Sequence, residues 1–278
     1  MKIAVLSGKG GTGKTFVSIN LASVADGSVY IDCDVEEPNG RLFLKPEQTA
    51  RQEVSVLLPE FDGHKCIGCR DCVKFCKFNA LAFLGNKPKV FKEVCHSCGG
   101  CRLVCKNGAV TEVPASVGHI EIGDYKNTRV ITGELNIGEA SGVPVIKQAL
   151  QTGFFCDAET TVIDCPPGSS CSVTESIGDA DYCLLVAEPT VFGLHNFRMV
   201  TELVKIMGKP CGVVINKYDG EFLPLEEFCR ENALPILAKI PNSRETAYII
   251  SEGKIAAEEY EEAHTLFCDL LTKIGGAL

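Results

Sequence analysis

Short, uniformly apolar runs alternate along this chain with longer stretches of helical period. The first run is Ile3 to Leu6; others fall at residues 28–32, 161–164, 182–187, 213–217 and 235–240. Each is too short for a helix and too continuous for a half-exposed strand, so each predicts a strand buried on both faces. Between them, residues 16–25, 143–150, 194–207 and 261–274 repeat at helical spacing. Strand–helix alternation of this kind predicts an α/β fold with a doubly wound, mostly parallel sheet. Ligands of such a sheet bind at the carboxyl ends of its strands. Residues 120–122 and 129–132 alternate instead, as half-exposed strands do.

The turn after the first strand carries chemistry. Gly8 to Thr15 read GKGGTGKT, a match to G-x-x-x-x-G-K-[ST], between a strand and a helix starting near Lys14. Glycines let backbone N–H groups close around phosphates, the helix N-terminus and Lys14 add positive potential, and the Thr15 hydroxyl suits Mg²⁺. Gly10, Gly11, Thr12, Gly13, Lys14, Thr15 and Phe16 are therefore the expected nucleotide contacts.

Composition changes the picture at one place. Of 278 residues 16 are cysteine, and eight of these lie between Cys66 and Cys105. Cys66, Cys69, Cys72 and Cys76 follow C-x₂-C-x₂-C-x₃-C. Cys95, Cys98, Cys101 and Cys105 repeat that spacing 29 residues later. A four-thiolate zinc site pairs two C-x-x-C knuckles and needs no third cysteine at the next two-residue gap. Three closely spaced thiolates can hold three irons of a cubane, the fourth iron taking a thiolate from elsewhere. Such a duplicated run resembles the two-cluster ferredoxins, a resemblance that implies two [4Fe–4S] clusters with crossed ligation. One would use Cys66, Cys69, Cys72 and Cys105, the other Cys95, Cys98, Cys101 and Cys76. Lys77 and Lys106 stand where that family has proline after the fourth cysteine. His96, between two expected ligands, reads as a surface imidazole. From Glu60 to Glu112 nine lysines and arginines face five acids, although the whole chain has a formal charge of −9. Two oxidised clusters bring about −4 and would offset that local excess. Pro59 and Pro114 flank the segment, so residues 60–114 are expected to form a small α+β domain inserted in an ATPase domain of residues 1–59 and 115–278.

The second lysine of the glycine-rich loop, Lys9, narrows the reading. K-G-G-T-G-K-T resembles the deviant phosphate loop of the MinD/Mrp/ParA and nitrogenase-iron-protein ATPases. By that resemblance Lys9 acts across a dimer interface that ATP closes, with a second copy or a related ATPase. The stretch after Asp32 resembles the first switch, which makes Asp34 the residue that orients the attacking water and leaves Asp32 structural. Asp164, Pro166 and Gly168 resemble the second switch. There Asp164 holds Mg²⁺ through water and the Gly168 N–H is offered to the γ-phosphate. Asn216 matches the adenine-binding position, and Pro241 borders the base. Because Asn216, Lys217 and Asp219 also resemble a guanine signature, ATP is preferred over GTP without being required. Cys171, three residues past Gly168, reads as a buried, inert thiol.

The function expected from these parts is an iron–sulfur ATPase. ATP-driven dimer closure would be coupled to electron transfer, or to assembly or transfer of a metal cofactor, with a redox or metal-cofactor client protein. The alternative is a nucleotide-dependent recruitment switch whose clusters are structural or sense oxidation. An amidating ligase of the cobyrinate type would need a glutaminase domain. The acidic balance argues against a nucleic-acid partner. No basic amphipathic tail marks a membrane anchor, since residues 261–278 carry one lysine. With no leader or spanning stretch in view, the expected location is the cytoplasm.

Overall fold

The computed structural model describes residues 1–220 and 222–278. In chain order the strands are β1 (Lys2–Ser7), β2 (Val29–Asp32), β3 (Glu47–Phe61), β4 (Leu81–Leu84), β5 (Lys87–Val90), β6 (Val110–Tyr125), β7 (Thr128–Leu135), β8 (Thr161–Asp164), β9 (Tyr182–Ala187), β10 (Cys211–Tyr218) and β11 (Ile236–Pro241). The helices are α1 (Lys14–Val24), α2 (Arg41–Leu44), α3 (Asp71–Phe75), α4 (Gly100–Leu103), α5 (Val143–Phe154), α6 (Cys171–Ile177), α7 (Val191–Ile206), α8 (Pro224–Glu231), α9 (Arg244–Ser251), α10 (Ala256–Glu259) and α11 (Glu261–Gly275).

Among the described residues nine strands form one sheet, in the order β11-β10-β9-β1-β8-β2-β7-β6-β3. Neighbours from β11 to β7 are parallel. β6 is antiparallel to β7 and to β3. The apolar runs fill the centre because both faces of the sheet are covered. Along β1, Ala4 and Leu6 join one core, and Ile3 and Val5 the other. The first core packs against α5, α6, α7 and α8, and the second against α1, α9, α10 and α11. Each fully buried aliphatic side chain contributes about 1.5–3 kcal/mol through removal from water. No described helix is long and apolar enough to cross a membrane.

Two features depart from expectation. β3 is a 15-residue strand at the sheet edge, and most of its residues from Glu47 to Glu53 are exposed. Its polar face has no core to pack on, so it left no apolar signal in residues 47–53. β3 and β6 pair from Glu47↔Asp124 to Phe61↔Val110 and run unbroken past Pro59 and Pro114. The prolines expected to mark junctions sit inside this ribbon, opposite Glu112 and Leu57.

Beyond the ribbon, residues 62–109 carry the cysteines. Gly68, Arg70 and Asn79 have φ of 70°, 64° and 55°; Ser97, Gly99 and Gly108, each 29 residues later, have φ of 48°, 70° and 60°. α3 begins one residue after Arg70, and α4 one residue after Gly99. Lys74 N–H donates to Arg70 O and Leu103 N–H to Gly99 O, again 29 residues apart. The sequence repeat is thus a repeat of backbone conformation, left-handed turns included. The shared core of this part is small: Phe61, Cys72, Leu81 and Val110.

Candidate functional site

The turn from β1 to α1 is shaped by glycine. Gly11 and Gly13 have φ of 76° and 93°, a region that side chains with a Cβ rarely adopt. Gly13 caps α1, and a Cβ there would strike the Asn216 side-chain amide. The loop is held from β10: Asn216 Nδ2 donates to Thr12 O at 2.7 Å, and Lys217 Nζ to Gly11 O at 2.8 Å.

Adjacent strand ends bring acids to this loop. Register places Asp164 beside Asp32. Lys14 Nζ lies 2.7 Å from Asp164 Oδ1 and 3.6 Å from Asp34 Oδ2. The Tyr30 hydroxyl donates to Asp164 Oδ2 at 3.0 Å. Asp32 accepts the N–H groups of Asp34 at 3.1 Å and Gly40 at 2.9 Å, so it fastens the Asp34 loop. Burial works against the Lys14 charge, but Asp164 and Asp34 outweigh it and hold the pKa above the usual lysine value. Burial, then Asp164, push Asp32 up to about 8, with Lys14 opposing. Burial also raises Asp34, against the pull of Lys14. Burial followed by Asp164 raises Tyr30, which stays a hydrogen-bond donor. Nearby Cys33 and Cys165 are fully buried thiols whose pKa values burial raises.

A cavity of about 580 Å³ opens over the loop. Lys9, Gly10, Gly11, Thr12, Gly13, Lys14, Thr15, Phe16, Asp34, Asn216 and Pro241 all line it. Asp164 lies beneath, fully buried, and reaches the cavity through Lys14. Gly168 has φ 89°, but its N–H donates to Ser7 O at 2.9 Å and is therefore committed to β1, where it had been expected to face a phosphate. Cys171 is exposed at the start of α6, which corrects the expectation of a buried thiol: α6 turns that position outward.

Residues that sequence reasoning passed over also shape the site. Lys9 Nζ pairs with Glu188 Oε2 at 2.8 Å within the same chain, and lies 5.3 Å from the Phe192 ring centre. Glu188 Oε2 is buried and has no hydrogen bond of good geometry, so this ion pair is its compensation. Ser243, Thr246, Ala247 and Ile250, at the start of α9 and along it, close the far side of the cavity. The Ser243 cap, whose Oγ accepts from Glu245 and Thr246 N–H, was a legible helix start.

The cysteines form a second candidate site. Cys66, Cys69, Cys72 and Cys105 line one cavity of about 240 Å³ with Phe61, Phe83, Pro88 and Val110. Burial raises the Cys72 thiol, with Cys69 and Cys105 adding to it. Cys101 is pushed up to about 11 by burial first, with Cys95 and Cys98 contributing. Ala109 N–H points at Cys105 Sγ, 3.3 Å away. Among the described residues no three His, Cys, Asp or Glu side chains are gathered tightly enough to hold a single metal ion. Thiolates around a cubane each bind a different iron, so they stand further apart than the ligands of one ion. A donor set of four sulfurs around an apolar-lined cavity fits such a group. His96 is exposed and stacks on Phe78, with ring centres 3.7 Å apart.

A family profile described as "CobQ/CobB/MinD/ParA nucleotide binding domain" matches residues 3–256. The uncharacterized protein MJ0579 of Methanocaldococcus jannaschii is 30% identical over 222 residues, covering 78% of this chain and 80% of that one. Among solved structures, the cell division ATPase MinD of Pyrococcus furiosus superposes with a TM-score of 0.62 at 19% identity, covering 100% of this chain and 99% of that chain. The septum site-determining protein MinD of Pyrococcus horikoshii, complexed with Mg-ADP, gives 0.59 at 18% identity, with 98% and 95% covered.

Proposed function

The chain belongs to the CobQ/CobB/MinD/ParA nucleotide-binding family, and on that premise we propose that it is an iron–sulfur ATPase. In this reading MgATP closes a dimer, and closure acts on two [4Fe–4S] clusters held by the insert at about residues 60–114. The coupled output is electron transfer to a client, or assembly or transfer of a metal cofactor. One observation carries the iron–sulfur half. The two cysteine runs share a backbone conformation at a 29-residue interval, while Cys105 of the second run faces the cavity of the first.

The residues divide the work as follows. Lys14 pairs with Asp164 and lies near Asp34, and nucleotide phosphates offer it a further anionic partner. Thr15, which lines the cavity, offers the oxygen suited to Mg²⁺, and Asp164, buried beneath it, would act on the ion through water. Asp34, partly buried at the cavity wall, would orient water, and phosphoryl transfer depends mainly on such positioning. Asn216 and Lys217 border the cavity, Asn216 at the position that the family resemblance matches to adenine. Lys9 must leave Glu188 before it can reach a partner's nucleotide. Cys66, Cys69, Cys72 and Cys105 would hold one cluster, and Cys95, Cys98, Cys101 and Cys76 the other. Bound there, the clusters supply one-electron chemistry.

A physical route joins the two halves. The segment that starts at Asp34 passes through α2 directly into β3. Arg41 on that segment pairs with Glu121 of β6 at 3.3 Å and Glu134 of β7 at 2.8 Å. A shift of the Asp34 loop is therefore tied to the ribbon that carries the insert.

The test is anaerobic purification, iron and sulfide analysis, and EPR of the reduced protein with and without MgATP. About eight irons per chain and a signal or potential that moves with MgATP are expected. Eight irons with no nucleotide response would replace coupling with a recruitment switch bearing structural clusters. Zinc, or few irons, would remove the clusters from the proposal.

A further inference from the structure

The insert carries an open groove of about 600 Å³ lined by Asp71, Lys74, Phe75, Lys77, Leu103, Val104 and Lys106. The groove joins the two halves of the cysteine repeat, since Lys74, Phe75 and Lys77 come from the first and Leu103, Val104 and Lys106 from the second. Lys77 and Lys106 directly follow Cys76 and Cys105, at the two positions where the ferredoxin pattern has proline. Lys74, Lys77 and Lys106 are all exposed, and among the described residues none forms an ion pair. Arg102 holds Glu112 at 2.7 Å and Lys65 faces Asp62, whereas Lys87, Lys89 and Lys92 are exposed without an ion pair among the described residues but lie outside the groove. Two large apolar side chains project among the free lysines, Leu103 at 85% exposure and Phe75 at 48%.

An apolar centre ringed by unpaired charge of one sign is the anatomy of a protein-docking patch. The sign selects the occupant. Three lysines against one aspartate meet an acidic surface favourably and repel a basic one. Outside residues 60–112 the chain holds 18 basic against 31 acidic residues, so a second copy also offers an acidic surface, and the test below separates it from a foreign partner. Its lining residues flank Cys76 and Cys105 along the chain, one cysteine of each run, so whatever docks there would meet the segments that hold both expected clusters.

We propose that this groove docks the acidic face of a one-electron redox protein. Phe75 and Leu103 make the apolar contact, and Lys74, Lys77 and Lys106 steer and orient the partner. A cluster held beside Cys76 and Cys105 would supply the one-electron centre that such a partner meets; no bond would be made or broken, and the centre that loses the electron would be oxidised as the other is reduced. The docking surface rests on the iron–sulfur reading for its purpose, but its binding is measurable without electron flow.

The experiment uses the anaerobically purified holoprotein with two probes, an acidic flavodoxin and the basic cytochrome c. Carbodiimide cross-linking to flavodoxin, mapped by mass spectrometry, is expected to fall on Lys74, Lys77 and Lys106 and to fade as salt is raised to 0.5 M. A Lys74→Glu/Lys77→Glu/Lys106→Glu variant should lose at least about tenfold in cross-link yield and in the rate of electron exchange with flavodoxin, the range expected when steering charge is reversed. Its iron content, and its rate with a small neutral quinone, should equal those of the parent. Leu103→Ser should weaken cross-linking while leaving its salt dependence intact. Cross-links spread over other lysines, equal yields of links from these three lysines to cytochrome c, or links mainly between copies of this chain would each overturn the proposal. A parent protein that holds no iron yet cross-links at these lysines would overturn the redox role and leave an acidic-protein docking site.

Discussion

The nucleotide cavity and the cysteine module both present their chemistry on glycine-bearing loops, but they are supported differently. Around the cavity, β1, β2, β8 and β9 are nearly fully buried, and two cores clamp the sheet from either side. In the module, four side chains make the core, while Ile67, Phe75, Phe78, Leu84, Phe91, Val94 and Leu103 stay exposed. A segment with so little buried apolar surface cannot offset its ordering entropy unaided. Packing therefore organises the first site, and on the iron–sulfur proposal the second would depend on what its thiols bind. Such binding would also draw protons from Cys72 and Cys101, whose thiols burial has made weaker acids.

The largest effect that follows is selective unfolding. Removing iron with a chelator under anaerobic conditions should raise amide hydrogen exchange throughout residues 62–109, while β1, β8 and β9 keep their protection. Equal loss in both regions, or none in the module, would end the contrast between the two sites.

Next in size is the effect of Lys14→Ala. It strips the partner from a buried carboxylate and should cost about 3–5 kcal/mol in stability, read from denaturant midpoints, together with loss of nucleotide binding by calorimetry. Iron content should stay at the parent level, because the module does not lean on this ion pair.

A third effect is pH-dependent. Asp32 titrates near 8 in the folded chain, above its value of about 3.9 when unfolded. The folded state therefore binds more protons between those values, so Asp32 makes stability fall as pH rises from about 4 to about 8. Nucleotide-free melting temperatures should show that decline, and Asp32→Asn should flatten it. The smallest effect is Asn216→Ala, which removes one hydrogen bond to the loop and should cost about 1 kcal/mol, seen as a small drop in melting temperature with iron unchanged.

The body was largely legible beforehand. Apolar runs and helical spacing placed β1, β8, β9, β10, α5, α7 and α11, and the glycine-lysine pattern placed the loop that lines the cavity. β3 was not legible, because an exposed edge strand carries no apolar alternation. Nor was the role of Glu188, since nothing local ties a strand-end acid to a lysine 179 positions earlier. Cys171 was misread for the same reason: one thiol has no periodicity, and only the seating of α6 settles which way it faces.

Local chemistry accounts for what could be read directly. A phosphate loop, a cysteine repeat and buried strands each write their requirement into adjacent residues, because backbone conformation and side-chain period are short-range properties. Three things needed the folded chain. They are the pairing of Asp32 with Asp164 beneath Lys14, the meeting of Cys105 with Cys66, Cys69 and Cys72, and the groove shared by Lys74, Lys77 and Lys106. Each joins residues distant along the chain or split between the two repeats, and strand register or the packing of one loop on another sets their distance, which no local pattern encodes.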